Sequence, residues 1–309
     1  AFAERYAGLN HEGIESVVFS CSGTEAVEVA IQMARLATGE RGLVCTDATY
    51  HGNTELVGSM NYLWRAPPKS GAIRAFPYPD LYRPLKEGLG EGELCDAYLE
   101  KVAHAIESLK AEGQGLAALI MCSIFANEGP PEIPSGFMAK VTDLVHREGG
   151  LVIADEVQAG YGRTGRWWGY QKTDFLPDIV VTGKPMGNGL PVSATGARKD
   201  LVDAFRAEKD YFNTCAATPL QAAVGMAVLD EIERLDLVRN AAEVGDRLTA
   251  KLKERVSEYP VLGDARGYGL FIGVELVRDK ASKEPDAALT LSLSNRLKEM
   301  GFLLSYSGK

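Results

Sequence analysis

The sequence predicts an α/β protein: a mostly parallel sheet with helices on both faces, followed by a smaller C-terminal α+β domain. Short, continuously apolar segments alternate with amphipathic ones along residues 1–219, which is typical of parallel strands buried on both sides. The pattern changes after Pro219, where long Ala-rich helical segments begin. We therefore expect a large domain at 1–219 and a small domain at 220–309.

The elements of the large domain follow in chain order. Strands of the apolar kind are expected at 17–19, 43–45, 116–121, 151–154 and 179–182. Helices, on which apolar residues recur every three or four positions, are expected at 25–37, 96–109 and 137–147. The stretch 61–92 is rich in Pro, Gly and Tyr, so it predicts a long irregular connection.

The small domain combines both kinds of pattern. Helical periodicity is expected at 220–235, 241–256 and 289–300. An alternating apolar pattern predicts a half-buried strand at 270–276, and a last strand is expected at 302–304.

Composition excludes several classes of function. Lys and Arg total 33 against 42 Asp and Glu, a net charge of −9 without a long basic cluster, which argues against a nucleic-acid partner. Apolar runs fall well short of the ~20 residues of a membrane span, so no membrane partner is expected. The 5 cysteines lack a CxxC pair and the 4 histidines lack metal-ligand spacing. We expect no metal site, and a reducing, cytoplasmic location.

Polar groups follow the ends of the predicted strands. Asp155 ends the strand at 151–154, and Lys184 lies just past the strand at 179–182. Ser22, Gly23 and Thr24 precede a helix, whose first N–H groups favour an anion. Ligands gather at the carboxyl ends of parallel strands, so this topology lets the three groups converge on one cleft.

Each of these groups also has an ordinary structural interpretation. Ser22 is suited to capping a helix, Asp155 to capping a turn, and a loop lysine such as Lys184 is usually solvated. The combination of an anion cradle, a carboxylate and an amine is nevertheless what a pyridoxal phosphate site requires.

Longer motifs accompany these residues. They are SGTEA at 22–26, YHG at 50–52, IADEVQAGYGRTG at 153–165, TGKPMGNGLP at 182–191 and FNTCAATP at 212–219. In these motifs, and over nearly its whole length, the sequence resembles the class III aminotransferases, which are pyridoxal-phosphate enzymes of fold type I. The resemblance implies pyridoxal 5′-phosphate as the cofactor.

The resemblance also implies a role for each matched residue. Lys184 would hold the cofactor as a Schiff base and then move a proton, while Asp155 would pair with the pyridinium nitrogen. The remaining cofactor-binding residues fall into three groups. The phosphate would be bound by Ser22, Gly23 and Thr24, the phenolic oxygen by Gln158, and the two ring faces by Tyr50 and Val157.

Two further residues are assigned through the motifs. His51 belongs to the cofactor site by its place in YHG, although a structural histidine is the ordinary alternative. Thr214 would reach the phosphate of a neighbouring subunit, which implies a homodimer with shared active sites.

The implied activity is that of a transaminase. It would move an amino group from a small-molecule amine donor to a keto acid such as pyruvate, glyoxylate or 2-oxoglutarate. Cys122-Ser123 and Phe125-Ala126 stand where many members have Glu-Pro and Gln-Gly, and resemble the subgroup near the alanine–glyoxylate aminotransferases and phospho-lyases. A phospho-lyase acting on an O-phosphorylated amine is therefore one alternative, and a non-catalytic relative is another.

Other features yield separate expectations. Arg163 in the GRTG turn is expected to form a structural ion pair, and Trp167 and Trp168 to serve packing or an interface. Compared with the family, an N-terminal segment that lines the pocket and a C-terminal stretch with a carboxylate-binding arginine are expected to lie outside these 309 residues.

Overall fold

One large sheet organises the fold. The structure, a computed structural model, describes residues 1–63, 66 and 71–306. The strands of the large sheet in these ranges are β1 (Ser16–Ser20), β2 (Leu43–Thr46), β3 (Ile73–Phe76), β4 (Ala118–Cys122), β5 (Leu151–Asp155), β6 (Ile179–Thr182) and β7 (Ser193–Ala197). Their spatial order is β1-β7-β6-β5-β4-β2-β3, and β7 runs antiparallel to both of its neighbours while the other pairs are parallel. The predicted mostly parallel sheet is confirmed.

Helices occupy most of the connections. Those in the described ranges are α1 (Phe2–Gly8), α2 (Gly23–Thr38), α3 (Glu55–Gly58), α4 (Glu91–Ala111), α5 (Phe137–Arg147), α6 (Lys199–Glu208), α7 (Pro219–Arg234), α8 (Leu237–Glu258) and α9 (Ala287–Glu299). Short 3-10 turns are found at Gly169–Lys172 and Lys184–Met186.

Both faces of the sheet carry a hydrophobic core because side chains alternate along each strand. In β5, Val152 and Ala154 belong to the core beneath α4 and α5, whereas Ile153 belongs to the core beneath α2 and α6. The predicted helices on both faces are therefore confirmed.

The carboxyl ends of β5 and β6 lie side by side. Asp155, the last residue of β5, pairs in register with Val181 of β6, and the Glu156 amide donates to the Val181 carbonyl at 2.8 Å. Lys184 follows three residues after Val181. This register brings the two polar groups singled out in the sequence to the same edge of the sheet.

The chain beyond residue 219 adds two long helices and a separate two-stranded sheet, β8 (Leu262–Tyr268) with β9 (Phe271–Leu276). Buried Arg266 joins these strands through ion pairs with Asp264 and Glu275, and Glu275 also pairs with Arg83 at 2.8 Å. The division into domains at 219/220 stays a prediction.

Several expectations about elements were wrong. Residues 61–92, predicted as irregular, include the four-residue strand β3, in which the charged Arg74 interrupts the apolar pattern. Residues 64, 65 and 67–70 of this stretch lie outside the described residues. The expected strand at 302–304 is irregular, with Phe302, Leu303 and Leu304 all exposed. The structure also contains β7, whose small residues Ser193–Ala197 gave no apolar pattern.

None of the helices in the described part of the chain combines the length and the apolar character needed to cross a bilayer.

Candidate active site

A cleft of about 870 Å³ opens at the carboxyl edge of the sheet. The predicted site residues that line it are Ser22, Gly23, Val157, Gln158 and Lys184. The predicted site residues that do not line it are Thr24, Tyr50, His51, Asp155 and Thr214. The structure therefore brings half of the predicted set to the cleft, and the other half does not line it.

Lys184 enters the cleft from a strained turn. It begins the 3-10 turn after β6 and has a φ of +32°, which a side-chain-bearing residue rarely adopts. Such strain persists only where the surroundings impose it, and it concentrates at functional sites. Just before it, a Cβ on Gly183 would lie 3.3 Å from the Gly23 amide nitrogen. The lysine turn and the start of α2 are thus in close contact.

The start of α2 forms an anion cradle. The Ser22 hydroxyl accepts a hydrogen bond from the Glu25 amide at 3.2 Å, so Ser22 acts as the helix cap. The amides of Gly23 and Thr24 lie in the first turn, where no intrahelical acceptor exists. A Cβ on Gly23 would lie 3.0 Å from both γ-carbons of Val157. Glycine is therefore needed here for the close approach of the two segments.

The YHG segment packs against the same helix start. Gly52 has a φ of +144°, and a Cβ there would come within 2.5 Å of the Thr24 hydroxyl oxygen. This approach holds the loop that carries Tyr50 and His51 beside the cradle.

Asp155 is fixed by two donors. Its Oδ1 accepts the Val157 amide at 3.0 Å, and its Oδ2 pairs with Nδ1 of His51 at 2.7 Å. The Nε2 atom of His51 lies 2.7 Å from the Thr49 hydroxyl. A carboxylate oxygen accepts hydrogen bonds, so Nδ1 of His51 is the donor in the bond to Asp155. The Asp155 side chain keeps 9% of its surface exposed, which leaves room for a further donor.

A second polar chain reaches Gln158. The Asn127 side-chain nitrogen donates to the Tyr50 carbonyl at 3.1 Å, and the Gln158 nitrogen donates to the Asn127 side-chain oxygen at 3.1 Å. Sequence reasoning did not identify Asn127, because it lies in a Pro/Gly loop without periodicity.

The surroundings of Arg163 differ from the expected structural ion pair. In the described part of the chain it forms no ion pair; it is exposed and lines the cleft, while its carbonyl accepts the Leu270 amide at 2.9 Å. The expected structural ion pair is wrong, and the cleft contains a second cation besides Lys184.

Two buried carboxyl groups lie close to the site and were not predicted. Glu128 accepts a hydrogen bond from Thr46, and burial raises its pKa to about 7. Glu156, next to Asp155, accepts from Ser123 and from the amides of Gly169 and Tyr170, and burial raises its pKa to about 7 as well. Both groups are neutral over much of the acidic range.

The last two expectations concern residues outside the cleft. Thr214 is exposed on the segment between α6 and α7. Trp168 is fully buried and donates its indole N–H to the Leu9 carbonyl at 2.7 Å, so it serves packing, as predicted.

Comparison with known proteins places this geometry in a family. The model of the family "Aminotransferase class-III" matches residues 2–309. A mitochondrial alanine–glyoxylate aminotransferase 2 homologue of Arabidopsis thaliana is 34% identical over 311 residues, covering 99% of this chain. The chain spans 63% of the length of that relative.

Solved structures of other proteins are also similar to this chain over almost its whole length. A phospholyase from Arthrobacter, in complex with phosphoethanolamine, superposes with a TM-score of 0.94 at 35% identity, covering 99% of this chain and 73% of that one. A taurine:2-oxoglutarate aminotransferase from Bifidobacterium kashiwanohense, in complex with PLP and glutamate, gives a TM-score of 0.88 at 25% identity, covering 99% of this chain and 71% of that one. The chain belongs to the class-III aminotransferases, a pyridoxal 5′-phosphate-dependent family of fold type I.

Proposed function

We propose that this chain transfers an amino group from an amine donor to a keto acid, using pyridoxal 5′-phosphate bound in the cleft. The observation that carries the proposal is the register of β5 and β6. This register sets Asp155 beside Val181, and Lys184 follows Val181 by three residues. The anion cradle at the start of α2 lies at the same edge of the sheet. A carboxylate, an amine and the anion cradle would thereby be available to one small molecule.

The residues present fit the cofactor. Its phosphate would accept from the amides of Gly23 and Thr24, where the positive end of the α2 dipole stabilises an anion. The ring nitrogen would donate to Asp155, whose remaining exposed surface has room for one more hydrogen bond. Val157, which lines the cleft beside Gly23, would cover one ring face. Tyr50 would cover the other face.

Asp155 would keep a proton on the ring nitrogen. Its two existing donors, the Val157 amide and His51, hold the carboxylate in place. When bound, the cofactor supplies a carbonyl that takes up the amine and a ring that withdraws electrons from the substrate carbon.

Lys184 would first bind the cofactor carbonyl and then act on the substrate. In the reaction its ε-amine would hold and move a proton at the substrate carbon, first as general base and then as general acid. Its exposed side chain in the cleft gives it the reach for both positions.

The proposal includes a homodimer. Thr214 is exposed and does not line the cleft of its own chain, which fits a residue that serves the phosphate site of a second subunit. Sedimentation measurements on the wild-type chain and on Thr214→Ala, with and without cofactor, test this part.

The proposed reaction has a direct spectroscopic test. Added pyridoxal phosphate should give a visible absorbance band that an amine donor bleaches and a keto acid restores. Lys184→Ala should lose this band, whereas Lys172→Ala, a change of an exposed lysine in another 3-10 turn, should keep it. A wild-type chain without the band, or an unchanged band in Lys184→Ala, would contradict the proposal.

A phospho-lyase is the second candidate, favoured by Arg163. Arg163 is exposed, lines the cleft and has no ion-pair partner in the described residues, so its guanidinium would be available to a substrate phosphate. The same cation would also suit a substrate carboxylate. Release of inorganic phosphate from phosphoethanolamine without any keto acid would establish the lyase, and amino transfer that requires a keto acid would establish the transaminase.

A further inference from the structure

We propose that Asn127 is a positioning residue that fixes which end of the Gln158 amide faces the bound cofactor. The inference rests on the proposed function, because it assigns a task to a residue of the proposed cofactor site. It concerns the orientation of two side-chain amides, each of which has a donor end and an acceptor end.

The two hydrogen bonds that link Tyr50, Asn127 and Gln158 begin at a backbone carbonyl, which cannot exchange its acceptor for a donor. The Tyr50 carbonyl only accepts hydrogen bonds, and the Asn127 side-chain nitrogen lies 3.1 Å from it. A reversed Asn127 amide would bring two oxygens together at that distance. The carbonyl therefore requires the NH₂ end of Asn127 on its side.

The orientation is then passed to Gln158. With its NH₂ end at Tyr50, Asn127 presents its side-chain oxygen, which accepts from the Gln158 nitrogen at 3.1 Å. This bond uses one N–H of the Gln158 amide. The second N–H has no acceptor among the residues that the structure describes, and Gln158 lines the cleft beside Val157.

The loop that carries Asn127 is anchored on both sides. It follows directly after β4, and the neighbouring Glu128 is bound through its amide to the Phe125 carbonyl at 3.1 Å and through its side chain to Thr46. Phe125 is fully buried at a φ of +50°, so the backbone before Asn127 is also fixed. The backbone on both sides of Asn127 is thus held by contacts that do not involve Gln158.

The consequence is electrostatic. An amide N–H directed at the phenolic oxygen of the cofactor stabilises negative charge there, whereas a reversed amide would present its own carbonyl oxygen and repel that charge. Without Asn127, no side chain among the described residues holds the Gln158 amide with its N–H end toward the cofactor, and only the cofactor oxygen itself would favour that orientation. Loss of the donor should make the deprotonated, more negative state of the bound cofactor harder to reach.

A pH titration of the absorbance of the bound cofactor tests the inference. Asn127→Leu should raise the midpoint of the spectral transition by about 1 pH unit, the size expected for one lost hydrogen bond to a charged group. Gln158→Leu should raise it similarly, and adding Asn127→Leu to Gln158→Leu should cause no further rise. The matched control is Asn295→Leu, at an exposed position of α9.

Asn127→Ala is the second variant, because alanine removes both hydrogen bonds of the Asn127 side chain without adding bulk. Thermal unfolding of the cofactor-free chains checks that each variant is folded. A midpoint unchanged in Asn127→Ala, or a further rise in the double variant, would overturn the inference while the wild-type band remains. A wild-type chain that gains no band with the cofactor would instead refute the proposed function, and this inference with it.

Discussion

Nδ1 of His51 lies 2.7 Å from Oδ2 of Asp155, and the His51 side chain is completely buried. His51 therefore acts through Asp155 and does not line the cleft. The motif resemblance groups His51 with the cofactor-binding residues, whereas the geometry indicates that His51 positions the Asp155 carboxylate.

Replacing His51 should lower the stability of the protein and remove a hydrogen bond that positions Asp155. In His51→Leu one oxygen of a largely buried carboxylate loses its donor, which should lower the free energy of unfolding by about 1–3 kcal/mol. His51→Asn keeps an N–H near the Nδ1 position and should recover part of that loss. Urea denaturation of the cofactor-free variants measures this, and equal losses in both variants would contradict a role based on the donated hydrogen bond.

Gly23→Ala should disturb the phosphate cradle. The added Cβ would lie 3.0 Å from both γ-carbons of Val157, so Val157 or the start of α2 must shift. We expect a destabilisation of about 1–3 kcal/mol and weaker cofactor binding, measured by thermal unfolding and by titration of the visible band. The control is Gly92→Ala in the first turn of α4, where a Cβ meets nothing within 4 Å. A cofactor affinity equal to that of the wild type in Gly23→Ala would argue against the cradle.

Arg163→Ala should reduce the affinity for anionic substrates and leave cofactor binding unchanged. One hydrogen bond to a charged partner accounts for about 1.5–3 kcal/mol, so KM for such a substrate should rise at least about tenfold. Arg166→Ala, at another exposed arginine of the same loop, should change KM little. If both variants behave alike, Arg163 does not contact the substrate.

Glu128 should make the stability of the protein depend on pH. Folded Glu128 keeps its proton to about pH 7, whereas the unfolded carboxyl loses it near 4.5, so the folded state binds more protons between these values. Stability should therefore fall as pH rises through this window, by an amount on the order of 3 kcal/mol for this group.

The variant Glu128→Gln removes the titrating group and should flatten that fall. Glu156 contributes a similar slope, because its pKa is also raised to about 7, so a part of the dependence should remain. Glu12→Gln, at an exposed position, is the control and should keep the wild-type profile. Urea unfolding at several pH values provides the measurement, and a wild-type profile in Glu128→Gln would show that Glu128 is ionised in the folded protein.

The sequence was most informative where a residue follows a strongly apolar strand. The ends of two such strands predict Asp155 and Lys184 as neighbours, since strand ends in a parallel sheet share one edge, and the structure pairs β5 with β6 in that register. The start of α2 was predictable for a related reason: Ser22 is a good cap, and its hydroxyl does accept from the Glu25 amide.

What the sequence could not provide depends on tertiary contacts. Asn127 and Glu128 lie in a loop without periodicity, and their importance comes from partners at Tyr50, Gln158 and Thr46 that are distant along the chain. β7 was missed because its small residues are buried by the surrounding structure and carry little apolar signal themselves. The strand expected at 302–304 failed for the opposite reason, since an apolar run alone does not supply a pairing partner.

The central claim is that Lys184 and Asp155 serve one cofactor molecule. A crystal structure of the chain grown with pyridoxal 5′-phosphate tests it most directly. We expect continuous density from Nζ of Lys184 to the cofactor, and the ring nitrogen within about 3 Å of an Asp155 carboxylate oxygen. A cofactor that is bound to Lys184 but has its ring nitrogen in solvent, or that occupies a different cleft, would contradict the account.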